Sequence, residues 1–129
     1  MTSFHSFEEL EAWKSARDLR KWVINLVKKF PSEEKFRLTD QILRSSRSVP
    51  ANIAEGFGRF HYQENAQYCR QARGSLFETL EHIICANDSA YINEQDVSDG
   101  RNHVNDCMKK LNGYISYLSR SAKQNKVAK

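Results

Sequence analysis

The sequence predicts an all-α protein that folds as an antiparallel, up-down-up-down four-helix bundle. The chain has two prolines and five scattered glycines in 129 residues, and it lacks strand-like alternation of any length. Its apolar residues recur at three- and four-residue steps in four segments, the period of amphipathic helices. Because short connections join these segments, neighbouring helices are expected to run antiparallel.

The first helix is predicted over residues 6–29, where Phe30-Pro31 ends the run. The third is predicted over residues 63–90, and the fourth begins behind Asn93, with acidic residues in its first turn. Residues 1–122 are expected to form one domain and residues 123–129 a flexible basic tail. The main apolar line of the first helix is Leu10, Trp13, Ala16, Leu19, Val23, Leu26 and Phe30. That of the third helix is Cys69, Ala72, Leu76, Leu80 and Ile83. That of the fourth helix is Val97, Val104, Met108, Leu111, Ile115, Leu118 and Ala122.

The second helix is predicted to begin near Ser32 as its cap and to end at Gly56 and Gly58. Pro50 lies inside it, where a proline costs about 3 kcal/mol unless the helix bends. We therefore expect a kink near Pro50, with a break near Ser48 as the alternative. The apolar line of this helix is Leu38, Ile42, Val49, Ile53 and Phe57.

A second apolar stripe on the third helix, Phe77, Ile84 and Tyr91 at seven-residue spacing, favours self-association. The alternative is that this stripe only widens the core.

The net charge of +4 is concentrated in one part of the chain. All the excess lies in residues 120–129, and residues 1–119 are neutral. Residues 37–77 carry six arginines against three acids, whereas residues 78–106 carry seven acids against one arginine. The sequence is polarised, which favours an electrostatic partner at one end of the bundle.

Composition also indicates where in the cell the protein is located. The mean hydropathy is −0.71, and the N-terminus lacks a secretory pattern, so a cytoplasmic protein without a membrane span is expected. The three cysteines (Cys69, Cys85 and Cys107) form no C-x-x-C pair, and free thiols are favoured over redox or metal roles.

One face of the second helix carries a polar stripe: Gln41, Arg44, Ser48, Asn52, Glu55 and Arg59. Amides, a hydroxyl, guanidinium groups and a carboxylate are typical of a hydrogen-bonded network. The third helix offers Arg70, Arg73, Ser75 and Glu78 as partners, with Gly74 suggesting a close helix approach. The stripe is either a polar seam between helices or subunits, or part of a phosphate-contacting surface. That surface would use Arg44, Arg47, Arg59, Arg70 and Arg73.

Signals for catalysis are weak. The four histidines are scattered, no histidine follows a glutamate by three residues, and no glycine-rich loop opens a helix. Glu78 and His82 share a helix face, but such a pair is more often a surface contact than a metal site. No enzyme activity, metal or cofactor is expected. Sequence-specific DNA readout is not favoured either, because few basic residues occupy the start of the third helix.

Three segments carry a resemblance to a known family: Phe7–Leu19, Phe30–Arg59 and Ala72–His82, with S-V-P-A-N-I-A-E-G (Ser48–Gly56) as the specific core. The chain resembles the four-helix-bundle family named for intervening sequences of bacterial 23S ribosomal RNA genes, also called the S23 ribosomal protein family. The resemblance implies a bacterial cytosolic homopentamer without established catalytic residues. It also implies similarity to the accessory protein of diversity-generating retroelements, which binds a reverse transcriptase and nucleic acid.

The sequence-based hypothesis is a non-catalytic, homo-oligomeric bundle that binds RNA or DNA electrostatically, alongside a protein partner such as a reverse transcriptase. The alternative is a scaffold that binds only protein. The nucleic-acid candidates are Arg44, Arg47, Arg59, Arg70, Arg73, Arg120, Lys123 and Lys126. The seam candidates are Gln41, Ser48, Asn52, Glu55, Ser75 and Glu78.

Overall fold

A computed structural model of the protein describes residues 4–128 and the side chains of residues 4–124. Within that range it forms four α-helices and no strand: α1 (Glu11–Leu26), α2 (Leu38–Phe57), α3 (Tyr62–Asp88) and α4 (Glu94–Ala128). Short 3-10 turns at Phe7–Glu9, Val27–Lys29 and Ser32–Glu34 flank α1 and precede α2. The predicted all-α, four-helix class is confirmed.

The helices enclose one core. Each helix packs against its neighbours in the chain, α1 and α4 close the ring, and the α2–α3 pair has the most extensive contact. The apolar lines predicted from the sequence supply the interior, and the largest side chains of that interior are fully buried. These side chains include Leu19, Ile42, Leu76 and Leu111. No helix in the described part of the chain combines the length and apolar character needed to cross a membrane.

Contacts between α2 and α3 pair residues in reverse order. Ser45 contacts Thr79, and Ser48 contacts Ser75, so the two helices run in opposite directions. At one end of the bundle, Lys29 Nζ lies 2.8 Å from Asp96 Oδ1 and ties the end of α1 to the start of α4.

The second helix starts later than predicted. Ser32 does not cap it: residues 32–34 form a 3-10 turn, Arg37 has a non-helical backbone, and α2 begins at Leu38. The Glu34 carboxylate accepts a hydrogen bond from the Leu38 N–H at 3.1 Å, so a glutamate occupies the role expected of a serine. The helix then continues through Pro50 without a break at Ser48.

α2 ends at Phe57 and Gly58 is its C-cap, so the predicted end of the helix is confirmed, although no described glycine has a positive φ. Gly56 and Gly74 differ from their predicted roles. Gly56 is instead buried where α2 meets α3: an added Cβ would lie 2.6 Å from Asn65 Oδ1. The close approach predicted at Gly74 is wrong within the chain, because a Cβ there would meet nothing within 4 Å. Gly74 lies on the outer face of α3 and is exposed.

The second apolar stripe on α3 divides between interior and surface. Tyr91 is half-buried, lies 5.8 Å from the Phe30 ring, and donates a hydrogen bond to Glu34. Ile84 is half-buried, whereas Phe77 is 60% exposed. The stripe therefore widens the core at its Tyr91 end and leaves Phe77 on the surface.

The start of α4 agrees with the sequence. The side-chain oxygen of Asn93 accepts a hydrogen bond from the Asp96 N–H at 2.9 Å, and the Asp96 carboxylate accepts one from the Asn93 N–H at 3.1 Å. The helix is described through Ala128, and the boundary drawn at residue 123 stays a prediction.

Candidate polar cleft and basic end

Side-chain hydrogen bonds join three of the predicted seam residues. Ser75 Oγ donates to Ser48 Oγ at 3.0 Å, which links α3 to α2. Asn52 Nδ2 donates to the Ser48 Oγ and to the Ser48 carbonyl, both at 2.9 Å. These three side chains are half-buried, whereas Gln41, Glu55 and Glu78 are exposed. Ser48 is therefore one of the points at which the polar stripe meets α3.

A deeper pair of hydroxyls lies behind this layer. Ser45 Oγ and Thr79 Oγ1 are 2.9 Å apart, and both residues are buried. Thr79 also donates to the Ser75 carbonyl at 2.8 Å. Because buried hydroxyls are costly without partners, this pair holds α2 and α3 in one register.

An open polar cleft lies above these hydroxyls, between α2 and α3, with a volume of about 280 Å³. Its rim carries opposite charges. Arg44 is 77% exposed and lies 3.9 Å from Asp40, while Glu78 Oε2 lies 3.1 Å from His82 Nε2. The cleft offers donors and acceptors to a polar ligand or partner chain. It is lined by Gln41, Arg44, Ser45, Ser48, Ser75 and Glu78.

Arg59 is held at the turn between α2 and α3. Its guanidinium donates to Glu55 Oε2 at 2.8 Å and to the Tyr68 hydroxyl. The guanidinium carbon also lies 4.7 Å from the centroid of the Tyr68 ring. This network fixes Arg59 in one orientation, with 38% of its side chain exposed.

The predicted arginines do not form one continuous patch. Arg70 is exposed and contacts Gln67 at 3.4 Å, whereas Arg73 crosses to α4 and donates to Asn112 at 2.9 Å. Arg44 lies about 22 Å from Arg59 along α2, at 1.5 Å per residue. Arg47 is exposed in the same half of α2 as Arg44. Arg59 and Arg70 thus lie toward the α2–α3 turn, Arg47 and Arg73 lie near the middle of α2 and α3, and Arg44 lies farther from the turn.

Helix α4 extends toward the same end as that turn. Asn65, in the first turn of α3, donates to the Tyr114 hydroxyl at 3.0 Å. Arg120 and Lys123 are exposed, about 9 and 14 Å farther along α4. The side chain of Lys126 lies outside the described residues.

Acidic residues occur at both ends. The start of α4 at the opposite end carries Glu94, Asp96 and Asp99. At the basic end, Glu9 and Glu11 line an apolar pocket of about 280 Å³ together with Lys110. The charge difference between the two ends is therefore partial.

The cysteines are free, as predicted. Burial raises the pKa of Cys69 to about 12 and that of Cys107 to about 11, so both remain protonated thiols near neutral pH. Among the described residues, no three histidine, cysteine or acidic side chains are grouped so as to hold a metal ion.

Sequence reasoning missed three contacting residues, Tyr68, Thr79 and Asn112, and the exposed Phe60 in the α2–α3 turn. Thr79 lies four residues after Ser75 and could have been found from the helical period. The contacts of Tyr68 and Asn112 depend on how helices meet in space, and no local pattern marks them.

These features define a helical bundle whose most extensive interface carries a hydrogen-bonded polar layer beneath an open cleft. The family described as 23S rRNA-intervening sequence protein matches residues 8–113, and the chain belongs to that family.

The comparison with solved structures gives the same fold. A protein of unknown function from the S23 ribosomal protein family of Bacteroides thetaiotaomicron VPI-5482 is 24% identical, with a TM-score of 0.73. The alignment covers 81% of this chain and 97% of that one. The comparison with curated proteins gave no match.

Proposed function

We propose that this protein is a non-catalytic, homo-oligomeric bundle that binds RNA or DNA electrostatically as an accessory to a nucleic-acid-processing partner in the cytoplasm. The pentamer and the reverse transcriptase implied by the family resemblance belong to this proposal. The observation that supports it is the position of Arg59 and Arg70 toward the end to which α4 carries Arg120 and Lys123.

Electrostatic binding without sequence readout fits the character of these side chains. Arg70, Arg120 and Lys123 are exposed, so they can reach phosphates without losing buried contacts. Arg59 and Arg73 are fixed by neighbours, so their charges are presented in defined positions. Phosphate contacts supply most of non-specific nucleic-acid affinity.

Self-association is supported by the outer face of α3. Phe77 is 60% exposed, and Gly74, three residues away, leaves open space where another residue would place a side chain. A second copy packing here would cover apolar surface and could approach the α3 backbone closely. A ring of copies would also multiply the basic ends, so that weak contacts combine into useful affinity.

A protein-only scaffold is the second candidate, and the polar cleft favours it. Arg44 and Glu78 place a cation and an anion on opposite rims, as a complementary protein surface would require. This function predicts no measurable affinity for nucleic acid.

Removing positive charge from the end that carries Arg120 and Lys123 distinguishes nucleic-acid binding from the protein-only scaffold. The double variant Arg120→Gln/Lys123→Gln should weaken RNA binding by up to about fivefold per charge, because an exposed ion pair contributes roughly 0.2–1 kcal/mol. The matched control is Lys28→Gln/Lys35→Gln, which removes two exposed lysines near the other end. Equal affinities of the two variants would refute the basic end as the binding surface.

A further inference from the structure

Phe60 projects from the turn between α2 and α3. Its side chain is 93% exposed, compared with 83% for Phe36 and 60% for Phe77. A phenylalanine exposed to this extent adds little to the core, and burying it against a partner would be favourable. A ligand with an apolar or aromatic face would therefore bind favourably at this position.

Its neighbours are polar and charged. The His61 ring meets the Phe60 ring edge-to-face, with centroids 4.9 Å apart and an interplanar angle of 89°. Arg59 immediately precedes it and is held by Glu55 and Tyr68. The carboxylates of Glu55 and Glu64 lie near Arg59, so this turn is mixed in sign.

Further cations lie in the surroundings of the turn. Arg70 lies two helical turns beyond the start of α3, and α4 brings Arg120 and Lys123 toward the same end. An aromatic ring beside cations is the combination that binds single-stranded nucleic acid: phosphates contact the cations, and an unpaired base stacks on the ring. In a duplex the bases are stacked within the helix, and their faces cannot reach Phe60.

We propose that the α2–α3 turn is a base-stacking platform, centred on Phe60, that makes single-stranded RNA or DNA the preferred ligand of the basic end. This inference rests on the proposed function and names its substrate class. The cations around this turn, Arg59, Arg70, Arg120 and Lys123, favour a nucleic acid over an uncharged apolar partner.

Fluorescence anisotropy with a labelled oligouridylate and with an RNA duplex of equal length tests the inference. Phe60→Ala should weaken single-strand binding by about fivefold or more and leave duplex binding unchanged. Phe60→Tyr, which keeps an aromatic face, should retain single-strand affinity, and Phe60→Leu should not. Phe36→Ala is the matched control, because it removes another exposed phenylalanine, and it should change neither affinity.

The outcomes distinguish this inference from the function on which it rests. If the wild type binds both ligands in a salt-dependent manner and Phe60→Ala binds the single strand equally well, stacking is wrong and the proposed function stands. An equal loss for both ligands also overturns stacking. If the wild type binds neither ligand, the proposed function fails. Thermal unfolding of Phe60→Ala should match the wild type, since the side chain is almost wholly exposed.

Discussion

Gly56 allows the end of α2 to lie against the first turn of α3. A Cβ at this position would be 2.6 Å from Asn65 Oδ1, 2.8 Å from the Asn65 carbonyl oxygen and 2.9 Å from Tyr68 Cβ. Because one of these atoms is backbone, the helices would have to separate to admit a methyl group.

Gly56→Ala should therefore lower the free energy of unfolding by about 1–3 kcal/mol, measured by urea denaturation. Gly113→Ala is the control, since Gly113 is exposed within α4 and an added Cβ meets nothing within 4 Å. That variant should gain up to about 1 kcal/mol from helix propensity. A gain for both variants would contradict the close approach at Gly56.

The Asp96 carboxyl group makes the stability of the folded protein depend on pH. Burial opposes its charge, but the Lys29 ammonium and the Asn93 N–H outweigh that effect and lower the pKa of Asp96 from 3.8. A carboxylate with a lowered folded-state pKa stabilises the protein above its unfolded pKa, and that contribution is lost as the pH falls below about 4.

Asp96→Asn should consequently destabilise the protein most near neutral pH, and the gap from the wild type should narrow as the pH falls below about 4. Chemical denaturation at a series of pH values measures this gap. Asp99→Asn is the control, because Asp99 contacts the Gln95 amide rather than a cation. A gap for Asp96→Asn that stays constant with pH would refute the role of the charge.

At the scale of elements, the α2–α3 interface depends on hydroxyls as well as on apolar packing. Ser45 and Thr79 bond across it at 2.9 Å within the core. Thr79→Val keeps the shape but leaves Ser45 Oγ with only the Ile42 carbonyl, at 3.3 Å. Thr79→Val should cost about 1 kcal/mol in the free energy of unfolding.

A double-mutant cycle isolates the contact between these helices. Ser45→Ala/Thr79→Val should be more stable than the two single changes predict by at least about 0.5 kcal/mol, because neither hydroxyl is then left without its partner. Additive effects would show that the pair does not couple α2 to α3.

The helices themselves were predictable because apolar residues repeat with the helical period and are buried accordingly. The start of α2 was not predictable, because Ser32 and Glu34 both suit the start of a helix. Only the fold brings the Glu34 carboxylate to the Leu38 N–H. The close approach predicted at Gly74 is wrong for a related reason: a glycine within a helix can lie against another helix or face solvent, and its position in the sequence does not distinguish the two.

The candidate site was predictable as a stripe but not as a geometry. Helical spacing predicts Ser48, Asn52 and Arg59 on one face of the second helix, whereas α2 ends at Phe57 and Arg59 lies in the turn that follows. The spacing could not show that Ser48 turns inward to Ser75 while Arg59 is held at the turn by Tyr68, because both depend on how α3 is placed.

At the scale of the whole molecule, we expect an oligomer in solution. Light scattering at micromolar concentration should give several times the chain mass of 15.0 kDa. Phe77→Glu should reduce that mass, since burying an unpaired carboxylate in an apolar contact is costly. Phe36→Glu places the same charge on another exposed phenylalanine and should leave the mass unchanged. A wild-type mass equal to one chain would contradict self-association.

The central claim concerns what the basic end binds. The most direct measurement is the affinity of the wild-type protein for RNA at a series of salt concentrations. If arginines and lysines contact phosphates, the logarithm of the association constant should fall linearly with the logarithm of salt concentration, with a slope of about 0.7 per phosphate for single strands. Absent binding, or binding that does not change with salt, would contradict the claim.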